Sequence, residues 1–107
     1  MQLKRKKWRV TGNRIIDILR EHEEALKKYK VRRIGVFGSY AKGKPHHKSD
    51  IDLLVEFEQP NFENFMDLAS YLEKLFGKKV DILTPEGVKG IRVRGVAEKI
   101  TRSLRYV

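Results

Sequence analysis

The sequence predicts an α/β (α+β) domain in which helices pack against a small sheet. Three observations lead there. Two long stretches carry apolar residues at three- and four-residue spacing, shorter stretches carry them in alternation or as compact runs, and Gly, Pro, Asn or Ser separates one stretch from the next. The resulting order is helix, strand, short helix, strand, helix, strand, helix. With 107 residues and no cysteine, the chain makes one small domain without disulfide or thiolate-zinc support.

Asn13 is expected to cap a helix from Arg14 to about Lys28, because Ile15, Ile16, Leu19, Leu26 and Tyr29 form one apolar stripe. Val31 to Phe37 follows as a strand, with Ile34 and Val36 alternating against Arg33 and Gly35 until Gly38-Ser39 breaks it. A short helical turn, Tyr40 to Lys42, comes next, then a loop from Gly43 to Ser49 by composition. Asp50 to Phe57 is the second strand, ending near Gln59-Pro60. Asn61 caps a long helix whose positions Phe62, Phe65, Leu68, Ala69, Leu72, Leu75 and Phe76 keep helical spacing until Gly77 stops it. Phe62 and Phe65 suit either the core or a partner surface. Val80 to Leu83 is a third strand, Thr84 to Gly87 a turn, and about Val93 to Leu104 a terminal helix.

Charge is distributed unevenly. Residues 1–9 carry five positive charges and no acid, residues 88–107 carry six against Glu98 alone, and the thirteen bases of residues 10–87 balance thirteen acids. The net +10 therefore lies wholly in the two ends, which suit nucleic acid, nucleotide phosphates or an acidic protein, or simply a solvated tail. Trp8 within the first run suits stacking on a base or anchoring the tail. Residues 1–12 are expected to be a basic extension to a domain spanning 13–107. The 40% hydrophobic and 36% charged content excludes wholesale disorder. No apolar run approaches the roughly 20 residues that cross a bilayer, and no secretory leader opens the chain, so a cytoplasmic protein is expected.

Three short features carry chemistry. Asp50 and Asp52 are two apart in a strand, a spacing that points both carboxylates to one face while Ile51, Leu53 and Val55 face the core. Held together they repel, and a divalent cation relieves that repulsion; an oxygen-only donor set suits magnesium. Asp-x-Asp by itself also suits a turn residue followed by a salt-bridge partner. Gly38-Ser39, at a strand end, offers backbone N–H groups and a hydroxyl to a phosphate, or makes an ordinary turn. Asp81 alternates with Val80 and Ile82; it converges with the other two aspartates if the strands are neighbours, and otherwise suits a pair with Lys79.

Taken together, Gly38-Ser39, ten intervening residues, Asp50-Ile51-Asp52 and a later strand-borne Asp81 resemble the signature of the nucleotidyltransferase superfamily that includes DNA polymerase beta. Four such residues at this spacing arise by chance in roughly one chain in a thousand of this length. The wider stretches 37–43 and 49–57, with Asp81-Ile82-Leu83-Thr84-Pro85 and the ending Arg105-Tyr106-Val107, are similar to the minimal nucleotidyltransferases. These are the MntA type (MNT) found as antitoxins beside HEPN-domain toxins. The likeness covers residues 13–107.

The resemblance implies a nucleotidyltransferase fold, a small mixed sheet flanked by helices. It also implies a magnesium-dependent transfer of AMP from ATP to a hydroxyl, with pyrophosphate leaving. Asp50, Asp52 and Asp81 would be catalytic and hold two magnesium ions, while Gly38 and Ser39 would hold the triphosphate. In the antitoxin relatives the acceptor is a tyrosine hydroxyl on the HEPN toxin. Lys42 stands where relatives often have Arg, which keeps charge for nucleotide binding but loses the two-pronged grip on phosphate. His46 and His47, adjacent in a loop, are expected to face solvent rather than one common metal site. The alternatives are a non-catalytic antitoxin or nucleic-acid-binding module acting by contact, and nucleotidyl transfer to a small molecule or RNA.

Overall fold

The computed structural model describes residues 11–44, 49–91 and 95–107. The basic run 1–9 with Trp8, the pair His46 and His47, and the expected first residues of the last helix lie outside the described residues. Helix α1 spans Gly12–Glu21 and α2 Glu23–Lys28; strand β1 (Val31–Phe37) and the short helix α3 (Gly38–Ala41) follow. Strand β2 (Ile51–Phe57), helix α4 (Phe62–Phe76) and strand β3 (Val80–Leu83) form the middle of the chain. Helices α5 (Pro85–Lys89) and α6 (Val96–Ser103) precede the short strand β4 (Arg105–Tyr106).

The four strands lie in the order β3-β2-β1-β4. β1 runs antiparallel to both β2 and β4, whereas β2 and β3 are parallel, the connection through α4 supplying the crossover that parallel pairing requires. The expected mixed sheet flanked by helices is therefore present.

Alternation along β2 assigns its two faces. Ile51, Leu53 and Val55 are fully buried against Ile15, Leu19, Leu68 and Leu72 of α1 and α4. Each such side chain contributes roughly 1.5–3 kcal/mol by leaving water. Leu54 points the other way, into a second cluster with Phe37 and Ile100, flanked by Val88, Val96 and Leu104. In β3, Val80 and Ile82 are buried while Asp81 and Leu83 are only partly so. Asp52 and Asp81 thus rise from the face shared with α5 and α6, outside the principal core.

Several boundaries differ from expectation for long-range reasons. Thr11, not Asn13, caps α1: its Oγ1 accepts the Arg14 N–H at 3.1 Å, while Asn13 Oδ1 accepts from Arg105 at 2.6 Å. The first helix is broken at His22, whose Nδ1 lies 2.6 Å from the hydroxyl of Tyr71 on α4. Residues 84–87 belong not to an open turn but to a capped helix, with Thr84 Oγ1 accepting the Gly87 N–H. Asn61 does cap α4, accepting the Asn64 N–H at 2.7 Å, and Gly77 ends it in the left-handed conformation at φ +66°. Phe62 is 78% exposed and Phe65 packs against the core, which resolves the two readings of this pair in opposite directions. Strand β4 was not anticipated; Arg105 and Tyr106 leave the helix to pair with Val36 and Gly35.

Candidate active site

The site forms where β1 ends. Phe37, the last residue of β1, is opposite Asp52, and Asp52 is opposite Asp81 in the parallel pair. Two carboxylates are thus held side by side on neighbouring strands, as the sequence reading required if β2 and β3 were neighbours. Asp50 stands just before β2 and is partly exposed. Burial, then the charge of Asp81, then that of Asp50 push the Asp52 carboxyl up from 3.8 to about 6. That order of causes describes an acid deprived of water and surrounded by like charge.

Gly38 turns the chain directly from β1 into α3 at φ +74°. A β-carbon here would overlap Asp52 Oδ2, so the absent side chain is what lets the turn and the carboxylate share this space. The Gly38 N–H donates to Ser103 Oγ at 3.2 Å and is therefore engaged within the fold. Ser39, partly buried, is the next residue of the turn, and Lys42 closes α3 in an exposed position, its N–H bonded to the Gly38 carbonyl at 3.0 Å. Ser103 was not singled out by sequence reading. It lies 65 residues from Gly38, and no local pattern relates the two.

A cleft beside the paired carboxylates is lined by Phe37, Asp52, Phe65, Ala69, Asp81 and Leu83, among others. Its walls are apolar and its two ionisable lining groups are both acids. Among the described residues, no group of three or more His, Cys, Asp or Glu side chains is gathered to hold a metal ion alone. The donor set still fits magnesium, which takes one or two carboxylates and completes its shell with phosphate oxygens and water. The raised proton affinity of Asp52 marks the same unmet demand for positive charge.

An acidic pair short of positive charge, set against a turn that admits close backbone approach, suits chemistry on phosphate groups. Residues 19–107 match the nucleotidyltransferase domain, and the chain belongs to that family. It is similar to the protein adenylyltransferase MntA of Thermococcus cleftensis, at 39% identity over 92% of this chain and 97% of that protein. A candidate protein adenylyltransferase of Methanocaldococcus jannaschii is 43% identical over 91% of this chain and 98% of its own. Among solved structures, a minimal nucleotidyltransferase superposes with TM-score 0.62 at 33% identity, covering 84% of this chain and 93% of the other. One chain of the solved complex between a tri-AMPylated Shewanella oneidensis HEPN toxin and an MNT antitoxin has a similar fold, with TM-score 0.51 at 21% identity, over 89% of this chain and 66% of the other. The chain is accordingly a nucleotidyltransferase of the minimal, MntA-like kind. No helix among the described residues is long and apolar enough to cross a membrane.

Proposed function

We propose that this enzyme transfers AMP from ATP to a hydroxyl, a tyrosine, of a partner HEPN-domain toxin and so acts as its antitoxin. The observation that carries the reading is the in-register pairing of Asp52 with Asp81 beside the Gly38 turn. The names of relatives that match nearly their whole length support protein as the acceptor. The toxin complex of a fold neighbour supports the class of partner.

In this reading Asp50, Asp52 and Asp81 hold magnesium, as two ions. Bound there, magnesium supplies the positive charge that neutralises the triphosphate and the departing pyrophosphate. Gly38 and Ser39 carry the triphosphate along the turn, the Ser39 hydroxyl and backbone facing a ligand that Gly38 allows to approach. Lys42, at the exposed end of α3, adds a positive charge nearby. Asp81 takes part in activating the acceptor hydroxyl, whose oxygen bonds the α-phosphorus as the bond to the β-phosphate oxygen breaks and pyrophosphate leaves. Phe37 and Phe65 line the cleft with apolar surface beside the two carboxylates. Binding of nucleic acid through the basic ends has no support among the relatives.

The test is incubation of the purified protein with magnesium and ATP labelled at the α-phosphate in extract of its source organism, beside an Asp50→Ala, Asp52→Ala variant. A labelled protein band that the variant fails to produce is the expected result. Pyrophosphate release without protein label would redirect the assignment to a small-molecule or RNA acceptor. Neither label nor release, with any nucleoside triphosphate, would leave a contact-only antitoxin.

A further inference from the structure

The Gly38 turn is held from outside the nucleotidyltransferase signature. β4 pairs with β1 so that Val36 is opposite Arg105; carried two residues further, the same antiparallel register sets Gly38 opposite Ser103, the last residue of α6. The Gly38 N–H indeed donates to Ser103 Oγ at 3.2 Å. The hydroxyl proton is committed in the opposite direction, shared between the Lys99 carbonyl at 3.2 Å and the Ile100 carbonyl at 3.3 Å. With its only proton spent inside the helix, Ser103 Oγ presents a lone pair to Gly38 in a fixed direction.

Packing also holds the helix that supplies the acceptor. Ile100 lies in one cluster with Phe37 and Leu54, and Leu104 packs against them. Phe37 directly precedes Gly38, and Leu54 lies two residues beyond Asp52 on the same face of β2, so a shift of α6 would be felt at both. The Gly38 peptide in turn borders the Asp52 carboxylate, which fills the space of the missing β-carbon.

We propose that Ser103 is a positioning residue for nucleotide binding: its hydroxyl orients the Gly38 peptide and thereby sets the phosphate-facing turn against Asp52. The inference rests on the reading of Gly38-Ser39 as the triphosphate site. Ser103 touches no reacting atom; it acts through Gly38.

The test compares wild type with S103A, S103T and T101A. Thr101 makes the same kind of back-bond within α6, Oγ1 to the Ala97 carbonyl at 2.9 Å, and is exposed. Affinity for magnesium and a non-hydrolysable ATP analogue is measured by calorimetry, and Gly38 amide exchange by NMR on the labelled proteins. S103A should bind the analogue about tenfold or more weakly and lose protection at the Gly38 amide. S103T, which keeps the hydroxyl, should stay within about threefold of wild type, and T101A should match wild type on both readouts. A purely structural Ser103 would lower melting temperature without changing analogue affinity well below the transition. S103A binding as wild type while the Gly38 amide becomes exposed overturns the inference and leaves the triphosphate reading standing. Failure of wild type itself to bind the analogue overturns both.

Discussion

The carboxylate of Asp52 fills the volume that a β-carbon on Gly38 would need, so these two residues are tolerated together only because position 38 lacks a side chain. Gly38→Ala therefore pays twice, through a positive φ and through overlap with Asp52 Oδ2, and should destabilise the fold by about 2–4 kcal/mol. Gly43 has almost the same φ, +76°, with nothing within 4 Å of its would-be β-carbon. Gly43→Ala should therefore cost only about 1–2 kcal/mol and retain nucleotidyl transfer, whereas Gly38→Ala abolishes it. Thermal melts and labelled-ATP transfer on the two variants separate backbone strain from the contact with Asp52.

Asp52→Asn should stabilise the metal-free protein at neutral pH while eliminating transfer. The folded carboxyl titrates at about 6 against an ordinary 3.8, raised by burial and then by Asp81 and Asp50. The fold therefore favours the protonated acid: that stabilising contribution is complete below about pH 4 and is lost as pH rises through about 6. The variant's advantage should be about 1–2 kcal/mol above pH 6, less than the full shift implies because the group is partly solvated, and should vanish below about pH 4. Melting curves in chelator at pH 7.5 and pH 4 check the sign; equal effects at both would refute it.

Magnesium should raise the melting temperature of the wild type and leave Asp52→Asn unchanged at the same concentration. A cation that binds the folded acidic pair stabilises it by mass action, and the Asn variant has surrendered one of the pair's charges. Calcium and sodium at matched ionic strength serve as controls for general screening.

At the first helix, Thr11→Ala should cost about 1 kcal/mol, since it frees the Arg14 N–H that Thr11 Oγ1 accepts. Asn13→Ala removes only an exposed contact with Arg105 and should stay within about 0.5 kcal/mol of wild type. Urea titrations of the two variants would reverse in rank if Asn13 were the cap.

Leu53→Ala, in a fully buried position of β2, should destabilise by about 2–5 kcal/mol. Phe62→Ala, at a side chain 78% exposed, should change stability by less than about 0.5 kcal/mol despite removing a larger group. A large loss at Phe62 would mean that α4 packs through a different face.

Much of the architecture was legible because it is written in local spacing. The alternation of Ile51, Leu53 and Val55, the stripe through Leu68 and Leu72, and the Asn61 and Gly77 stops of α4 each concern neighbours within a few residues. The same periodicity pointed to Asn13 as the cap of the first helix, whereas Thr11 caps it and Asn13 bonds Arg105, 92 residues away. It also could not break the first helix at His22, whose side chain meets Tyr71 on another element. Phe62 obeyed the helical pattern and still faced solvent, for a helix's first turn can extend past the sheet it covers.

The site divides along the same line. Spacing puts Asp50 and Asp52 two apart on one strand and Gly38-Ser39 at the end of another, but the resemblance to the nucleotidyltransferases is what joined these four with Asp81 as a set. Strand order settled the rest: only the parallel pairing of β2 with β3 sets Asp81 against Asp52, and only the antiparallel return of β4 carries Ser103 to Gly38. Hydrogen bonds hold neighbouring strands about 4.8 Å apart whatever the separation along the chain, so the partners they create leave no periodic trace in the sequence.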